Sequence, residues 1–365
     1  MKKAALIFSL ILIVGLSACG TKKPEDTDAA VSLADGVENT VADSGNLADE
    51  NITDGNSNDS ATGAVGFVSW ADAGLEDHVM DWKDANLEAA MRKITDITDK
   101  DIMLSDVWEY TKLDFCTYDD DGNFIGGANI SDISALGELT NLEVLILNDN
   151  NISDISALSG LTNLKEVSFG SNNISDISAL CELTNLEVLA LNNNKISDIS
   201  ALSELMNLKK LSLWKNNISD ISALGKLTNL EKLWLNNNNN ISDISVLSGL
   251  TNLKELTLWE NNISDISALS GLMNLNSLYL DANNICDISA LSGLTNLEGL
   301  GLAQNSISDI SALSKLTNLK KLVLGENNIS DISALSGLTN LKELTLWGNN
   351  IKDYSPVEFV PDLQY

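Results

Sequence analysis

The chain has 365 residues and a formal net charge of −30, with 22 Lys and Arg against 52 Asp and Glu. Nucleic-acid binding requires clustered basic side chains, so this balance excludes a phosphate-backbone partner. There is one arginine, Arg92, and one histidine, His78. His78 follows Glu76-Asp77, with no nucleophile motif or metal-ligand spacing around it. We therefore predict a protein that is not an enzyme, with no catalytic residue, no metal site and no cofactor.

The first residues form a targeting signal. Lys2 and Lys3 precede an apolar run over residues 4–16, which is short for a membrane span and typical of a signal peptide. The run ends in Leu-Ser-Ala-Cys-Gly, residues 16–20, which resembles a bacterial lipobox. The resemblance implies cleavage after residue 18 and a lipid on Cys19; an ordinary secretory signal with an incidental cysteine is the alternative. We predict an extracytoplasmic lipoprotein, anchored in the membrane through Cys19 at the bacterial cell surface.

Residues 19–66 are predicted to be a disordered, acidic tether. The segment has no aromatic residue and is rich in Asp, Asn, Ser, Thr and Gly. Such a composition buries too little apolar area to offset the entropy lost on folding. The tether would hold the folded part away from the membrane.

Residues 67–128 are predicted to form a cap at the N-terminal end of the folded part. Residues 85–94 have a helical apolar stripe that includes Leu87 and Met91, and Asp84 is placed to cap the helix. Residues 97–102 and 110–115 indicate a degenerate first repeat. Residues 117–128 indicate a turn-rich insertion. Its triplet Asp119-Asp120-Asp121 invites a calcium interpretation, but the other ligands of an EF-hand loop are missing, so a solvated turn is favoured.

A 22-residue repeat occupies residues 129–353. A clean copy, residues 253–271, reads Leu-Lys-Glu-Leu-Thr-Leu-Trp-Glu-Asn-Asn-Ile-Ser-Asp-Ile-Ser-Ala-Leu-Ser-Gly. The isoleucine after the asparagine recurs every 22 residues from Ile130 to Ile351, except for one 23-residue interval where an extra Asn enters the run Asn236–Asn240. A fixed period of this length indicates stacked units that build an extended binding surface rather than an enclosed active site.

The constant positions of the repeat predict a scaffold. Leu253, Leu256 and Leu258 show the alternation of a short strand with its leucines inward. The asparagine after each strand is expected to satisfy buried turn groups with its amide. The aspartate in Ile-Ser-Asp-Ile-Ser is expected to cap a short helical turn; a metal-binding row of aspartates is the alternative.

Residues 354–365 are predicted to be a C-terminal cap. Pro356 and Pro361 are expected to stop regular strand pairing, because proline lacks the N–H that a ladder needs. Tyr354, Val357 and Phe359 are expected to cover the last layer of the core.

The pattern Leu-x-x-Leu-x-Leu-x-x-Asn-x-Ile-x-Asp-Ile-x-x-Leu resembles the internalin-type leucine-rich repeat of bacterial surface proteins, and the segment 87–115 resembles their helical cap. The resemblance implies an α/β solenoid: a curved leucine-rich repeat with a concave parallel β-sheet, short 3-10 turns on the convex side and a helical N-terminal cap. Two features depart from the family. Ala157, Ala268 and Ala334 stand where it commonly has proline, and no immunoglobulin-like domain or sorting signal follows the repeats.

Function is expected where the repeats differ, on the outward positions of the strands. Four adjacent strands each place one large aromatic residue there, and Gly299, Gly301 and Ala303 follow as a bare strip. This predicts a row of exposed aromatic rings beside a shallow hollow; aromatic packing that only stabilises the sheet is the alternative. The predicted ligand-binding residues are Lys210, Trp214, Lys232, Trp234, Glu255, Trp259, Tyr279, Asp281 and Trp347.

These features favour a non-catalytic surface module that binds a protein of the host or of a bacterial surface, in the manner of an adhesin or receptor. Two alternatives remain open. Exposed aromatic rings also suit a glycan-binding module, because sugars stack on them. The second alternative is an accessory subunit of an envelope enzyme complex.

Overall fold

The computed structural model describes residues 69–119 and 122–365. The predicted signal peptide, Cys19, the acidic tether, Asp120 and Asp121 lie outside these residues. No helix in the described part of the chain is long and apolar enough to cross a membrane.

The fold is built on a 12-stranded parallel sheet, whose strands lie side by side in the order in which they occur along the chain. Neighbouring strands are in register at the repeat period, so that Leu211 lies beside Leu233, and Leu233 beside Leu256. The strands are β1 (Lys112–Asp114), then β4 to β14: Val144–Ile146, Glu166–Ser168, Val188–Ala190, Lys210–Ser212, Lys232–Trp234, Glu255–Thr257, Ser277–Tyr279, Gly299–Gly301, Lys321–Val323, Glu343–Thr345 and Asp362–Gln364; β2 and β3 (Thr117–Tyr118 and Phe124–Gly126) form a separate antiparallel pair.

A short 3-10 helix lies between successive strands from β4 onward and before β4 itself. Each begins at the serine of the Asp-Ile-Ser motif, except that Asp-Tyr-Ser replaces it in the last. They span Ser134–Glu138, Ser156–Gly160, Ser178–Leu180, Ser200–Leu202, Ser222–Lys226, Ser245–Gly249, Ser267–Gly271, Ser289–Gly293, Ser311–Lys315, Ser333–Leu335 and Ser355–Val357. With the parallel sheet, these turns confirm the predicted solenoid. We call the face of the sheet opposite the buried leucines the concave face.

The repeated aliphatic residues form one continuous core. Leu253, Leu256 and Leu258 are fully buried, as predicted for the inward positions of a strand, and so are Ile263 and Leu269 on the returning segment. One repeat cannot fold alone, because the apolar area that it buries by itself does not offset the entropy lost on ordering 22 residues. Stacking of neighbouring repeats is therefore required for stability.

The asparagine after each strand satisfies buried backbone groups of the turn, as predicted, and it also joins consecutive repeats. Oδ1 of Asn172 accepts from the Ile152 N–H at 2.9 Å, while its Nδ2 donates to the carbonyls of Leu147 at 2.9 Å and Phe169 at 3.1 Å. The same contacts recur at Asn194, where Nδ2 donates to the Phe169 carbonyl at 3.0 Å. One amide thus satisfies buried backbone groups that the bend leaves without ladder partners.

The extra asparagine of the 23-residue repeat breaks this network once. Asn238 takes the usual role in the run, since its Oδ1 accepts from the Ile218 N–H at 3.0 Å. The inserted residue follows it, and Asn239 adopts a left-handed backbone with φ of 62°. Ile241 consequently does not donate to Asn261, and Oδ1 of Asn261 is buried without a hydrogen-bond partner.

The repeated aspartates cap the 3-10 helices. Oδ1 of Asp154 accepts from the backbone N–H of Ser156 at 2.8 Å, and Asp265 makes the same bond to Ser267. Hydrogen bonds from the Ser156 backbone and hydroxyl hold the pKa of Asp154 below its ordinary value. The structure confirms the predicted capping role, with the aspartate one residue further from the helix than the geometric N-cap, which is the isoleucine.

The N-terminal cap contains α1 (Ala85–Thr95) and α2 (Leu104–Val107). Asp84 caps α1 as predicted, since its Oδ1 accepts from the Asn86 and Leu87 N–H groups. Its Oδ2 accepts from both the N–H and the hydroxyl of Ser131 at 2.7 Å, which joins the cap to the first full repeat. Burial raises the pKa of Asp84, but the hydrogen bonds from Ser131, Leu87 and Asn86 outweigh it and lower this pKa to about 2.

The C-terminal cap differs from the prediction. Strand pairing does not stop at Pro361, because β14 begins at the next residue and Asp362 donates its N–H to the Lys342 carbonyl at 3.0 Å. A proline just before a strand removes no ladder bond. Val357 is buried as expected, but Phe359 is 41% exposed and does not cover the core. Instead Tyr354 packs against Tyr365, with ring centroids 4.7 Å apart.

Candidate functional site on the concave face

The outward side chains of the concave face form three columns along the solenoid. The first column holds the first residue of each strand, the middle column holds the third, and the outer column holds the second residue after the strand. Over β7 to β13, the middle column is Ser212, Trp234, Thr257, Tyr279, Gly301, Val323 and Thr345, and the outer column is Trp214, Asn236, Trp259, Asp281, Ala303, Gly325 and Trp347. The predicted aromatic residues therefore alternate between two columns instead of forming a single row.

Trp234 is 4% exposed, so the prediction that its ring would be exposed is wrong. Its Nε1 donates a hydrogen bond to Oε1 of Glu255 on the next strand at 2.8 Å. Nζ of Lys232 lies 3.4 Å from Oε2 of the same carboxylate and 5.8 Å from the centroid of the Trp234 ring. These contacts place Lys232 and Glu255 against the buried ring, since long charged side chains pack along aromatic surfaces.

Trp214, Trp259 and Trp347 are partly exposed, as their outer-column positions allow. Gly325 leaves room for the ring of Trp347. A Cβ on Gly325 would lie 2.9 Å from Cε2 of Trp347. The Trp347 ring therefore packs against the backbone just after β12. Tyr279 of the middle column is also partly exposed, and with these three rings it forms the aromatic surface of the concave face over β7 to β13.

The predicted hollow over Gly299, Gly301 and Ala303 is filled, which corrects the sequence interpretation. A Cβ on Gly299 would lie 3.0 Å from the Tyr279 hydroxyl. A Cβ on Gly301 would lie 2.8 Å from Cδ1 of Tyr279 and 2.2 Å from Oδ2 of Asp281. The two glycines are buried because the side chains of the preceding repeat lean over them.

Asp281 is a partly exposed residue with a shielded carboxylate oxygen. Its Oδ1 accepts from the Ala303 N–H at 2.8 Å, whereas its Oδ2 is buried without a hydrogen-bond partner. Burial raises the pKa of Asp281 to about 6, although the hydrogen bond from Ala303 and the positive charge of Lys321 oppose the rise. A carboxylate in this environment favours a positive neighbour, which would restore its charge.

The first column carries the remaining predicted residues. Lys210 and Glu255 are partly buried there. The sequence interpretation missed Lys321, whose Nζ lies 3.3 Å from Oε2 of Glu343 on β13. Reading the first column through to its end would have found this pair, because both residues occupy outward strand positions in consecutive repeats.

Two groups that could support other chemistry are His78, in the N-terminal cap, and Cys116, the second residue after β1 and thus the first residue of the outer column. Nε2 of His78 lies 3.3 Å from the Glu138 carboxylate, and its Nδ1 lies 2.9 Å from the Glu76 carbonyl. Burial raises the pKa of the Cys116 thiol to about 12, so it is not a nucleophile at neutral pH. No group of three or more His, Cys, Asp or Glu residues in the described segments is placed to hold a metal ion.

Comparison with known proteins agrees with this architecture. The family model for leucine-rich repeats in two copies matches residues 162–204, 207–249, 251–293, 295–337 and 317–359. The structure of an internalin (inlF) from Listeria monocytogenes is similar at 34% identity and a TM-score of 0.63, over 77% of this chain and 95% of that one. Comparison with curated proteins found no match.

Two further solved structures share the fold. A leucine-rich repeat protein of Leptospira interrogans, LIC12759, is 23% identical with a TM-score of 0.57, over 71% of this chain and 74% of that one. The plant peptide hormone receptor RGFR1, solved in complex with RGF2, is 26% identical with a TM-score of 0.53, over 60% of this chain and 42% of that one. The chain belongs to the leucine-rich repeat family and is an internalin-like member of it.

Proposed function

We propose that this chain is a non-catalytic, surface-exposed adhesin or receptor that binds a protein partner through its concave face. The observation that carries the proposal is the partial exposure of Trp214, Trp259 and Trp347 on one face of the sheet. Aromatic side chains exposed on a rigid surface are enriched in binding hot spots, because they bury a large area at a small cost in side-chain entropy. The predicted residues Lys210, Lys232 and Glu255 would border this surface.

The fold supports a protein or peptide partner. A plant receptor that shares it was solved in complex with a peptide hormone. The repeats of the present chain likewise fix a long sheet whose constant residues point into the core. Its variable residues are thereby presented outward on a rigid support, which suits recognition more than catalysis.

The proposal is tested with Trp214→Asn and Trp259→Asn in the full chain, singly and together. Asparagine is the natural choice, because the outer column already holds it at Asn148, Asn192 and Asn236. Proteins captured by the wild type from surface extracts would be identified and their affinities measured. We expect each substitution to weaken binding about 10-fold or more, the loss typical of a hot-spot aromatic.

A matched control removes exposed apolar side chains elsewhere. Met206 and Met273 are 45% and 50% exposed on the loops that follow the 3-10 helices. Neighbouring repeats hold threonine in this position, as at Thr228 and Thr251. Met206→Thr with Met273→Thr should leave affinity unchanged. Equal affinity in the tryptophan variants and the wild type would refute binding through the concave face.

The glycan alternative gives a different pattern in the same variants. A module that stacks sugars on its rings would bind a purified neutral oligosaccharide on an array and lose it in the tryptophan variants. A protein-binding module would bind its polypeptide partner as tightly after carbohydrate is removed from the partner as before. Binding that is abolished when carbohydrate is removed from the captured partner would favour the glycan module.

We also propose that the chain is anchored at the bacterial surface by a lipid on Cys19, which lies outside the described residues. The support is the sequence around the cysteine, with its basic start, apolar run and small residues. Cys19→Ser should move the protein from the detergent phase to the aqueous phase on detergent partitioning, whereas Cys181→Ser should not. A wild-type protein found wholly in the aqueous phase would contradict the anchor.

A further inference from the structure

A hydrogen-bond rule operates between the outer and middle columns of the concave face. An asparagine of the outer column accepts, through Oδ1, a hydrogen bond from a hydroxyl of the middle column one repeat later. The pairs are Asn148 with Ser168 at 2.8 Å, Asn192 with Ser212 at 3.3 Å, and Asn236 with Thr257 at 2.7 Å. Polar side chains on this face are thus satisfied within the protein.

The rule fails at Asp281. A carboxylate replaces the amide there, and Gly301 one repeat later supplies no hydroxyl. Oδ2 of Asp281 is consequently buried with no hydrogen-bond partner, while Oδ1 retains the bond to the Ala303 N–H. A buried, incompletely paired carboxylate is costly, since both its hydrogen-bonding capacity and its charge have lost water.

The basic side chains of the neighbouring first column are already engaged. Nζ of Lys321 pairs with Glu343 at 3.3 Å, and Nζ of Lys232 pairs with Glu255 at 3.4 Å. In the described part of the chain no Lys or Arg nitrogen forms an ion pair with Asp281, although Lys321 is close enough to act on it electrostatically. The protein therefore places a carboxylate on its binding face and leaves its negative charge without a direct counterion.

The Tyr279 side chain lies beside this carboxylate, above Gly301. Cδ1 of Tyr279 and Oδ2 of Asp281 both lie within 2.8 Å of the position that a Cβ on Gly301 would occupy. The Tyr279 hydroxyl makes no hydrogen bond to any described residue, so the ring is held over the two glycines by packing alone. Rotation of the Tyr279 side chain would therefore break no hydrogen bond.

We propose that Asp281 is the recognition site for an ammonium or guanidinium group of a basic polypeptide segment, which enters as Tyr279 shifts and is then held between the carboxylate and the aromatic ring. The inference rests on the proposed protein-binding function of the concave face and names the chemistry of its ligand. A lysine or arginine side chain supplies both the missing hydrogen-bond donor and the missing charge. The face of Tyr279 adds a cation–π contact.

The charge of the surroundings favours a cation over a neutral sugar hydroxyl. Three carboxylates act electrostatically on Tyr279. Glu255 and Glu343 are paired with Lys232 and Lys321, whereas Asp281 has no ion pair among the described residues. The whole chain carries a formal charge of −30, which would draw a basic segment to the face from a distance. A hydroxyl group would complete the hydrogen bond but leave the buried charge uncompensated.

The test uses the full chain and an array of decapeptides that contain lysine or arginine. Each peptide is printed beside a twin in which lysine is replaced by norleucine and arginine by citrulline. The array is probed with the wild type, with Asp281→Asn, and with Glu182→Gln as a control that changes the net charge equally at an exposed residue remote from the concave face. Asp281→Asn keeps the acceptor for the Ala303 N–H and restores the amide of the outer column, so it should fold.

For a basic peptide that the wild type binds, we expect two losses of affinity of about 10-fold or more, as when a desolvated charge pair loses one partner. The wild type should bind the neutral twin more weakly, and Asp281→Asn should bind the basic peptide more weakly. Glu182→Gln should bind like the wild type. The inference is wrong if no basic peptide binds better than its neutral twin, or if Asp281→Asn binds as well as the wild type. Peptides lost with Trp259→Asn but retained by Asp281→Asn would overturn this inference and leave the proposed function standing. A neutral oligosaccharide that binds through Asp281 where basic peptides do not would overturn it in favour of a sugar.

Discussion

Nε1 of Trp234 donates to Oε1 of Glu255 across two neighbouring strands of the concave face, at 2.8 Å. Because the indole is buried, its N–H depends on this one carboxylate, and the same carboxylate also pairs with Lys232. The contact explains how the largest residue of the middle column can be buried on an outward-facing position with its N–H satisfied. Trp234 therefore does not itself offer a free surface.

We expect Glu255→Leu to destabilise the protein by about 1–3 kcal/mol, because it leaves the buried Trp234 N–H without an acceptor. Glu255→Gln keeps an acceptor oxygen and should cost less than about 1 kcal/mol, the value of a partly exposed ion pair. Chemical denaturation followed by circular dichroism measures both. Equal losses in the two variants would show that the Trp234 hydrogen bond contributes nothing measurable.

The pH dependence of the free energy of unfolding should reveal the desolvated carboxylate of Asp281. Its pKa in the folded state is raised from 3.8 to about 6, so the folded protein prefers the protonated form. The stability that Asp281 contributes is therefore complete below about pH 4 and is lost as the pH rises through 6. Lys321, Glu255, Glu343, Glu260 and Tyr279 surround this group or its strand and are unchanged by Asp281→Asn.

Asp281→Asn should consequently be more stable than the wild type by about 1–3 kcal/mol at pH 7.5, with a difference that shrinks towards pH 4. Unfolding midpoints of both proteins at several pH values test this. A difference that does not vary between pH 4 and 7.5 would mean that the carboxylate is not desolvated in the folded state.

Deleting one residue from the run Asn236–Asn240 should stabilise the protein. The product is the same whichever asparagine is removed, and it restores the 22-residue period. The isoleucine now at 241 can then donate its N–H to Oδ1 of Asn261, which is buried without a partner. We expect a gain of about 1–3 kcal/mol, the usual cost of a buried unsatisfied group.

The mirror-image control for this deletion adds an asparagine after Asn283, a regular position of the network. It should destabilise the protein by a comparable amount, because it removes the same bond from the next asparagine, Asn305. Thermal unfolding of the two length variants gives the comparison. A deletion variant that melts below the wild type would show that the extra residue is accommodated without loss.

The asparagine network should also be unequal along the chain. Asn283 has its Oδ1 engaged by the Ile263 N–H and its Nδ2 by the carbonyls of Leu258 and Leu280, whereas Asn261 lacks the first bond. Asn283→Ala should therefore cost about 1 kcal/mol more than Asn261→Ala, the net value of one hydrogen bond. Matched denaturation curves decide; a larger loss in Asn261→Ala would contradict the assigned contacts.

The scaffold could be predicted from the sequence because every repeat carries the same pattern of core residues. Leu256 and Ile263 recur with their spacing in each unit, and a 22-residue period leaves few alternatives to a stack of strand and turn. The cap helix was also predictable, since Asp84 precedes a helical stripe. The strand after Pro361 was not, because a proline outside a ladder looks the same in a sequence as one that interrupts it.

The concave face was harder to predict, because the exposure of each side chain depends on its neighbours in adjacent repeats. Sequence places Trp234 and Trp259 both outward, yet only the structure shows that Trp234 lies under Lys232 and Glu255. The glycines 299 and 301 look like open space in the sequence, yet their lack of side chains is what lets Tyr279 cover them. A glycine on such a face marks the place where a neighbour will lie.

The covering of Gly299 and Gly301 by Tyr279 and Asp281 has a consequence for how this surface changes over generations. Duplication or loss of a single 22-residue unit preserves the stacking of the leucines, but it separates a large side chain from the small residues that accommodate it. Exchange of the two repeats that hold Tyr279 and Gly299 as one unit keeps this match. Libraries of designed variants should therefore move these two repeats together.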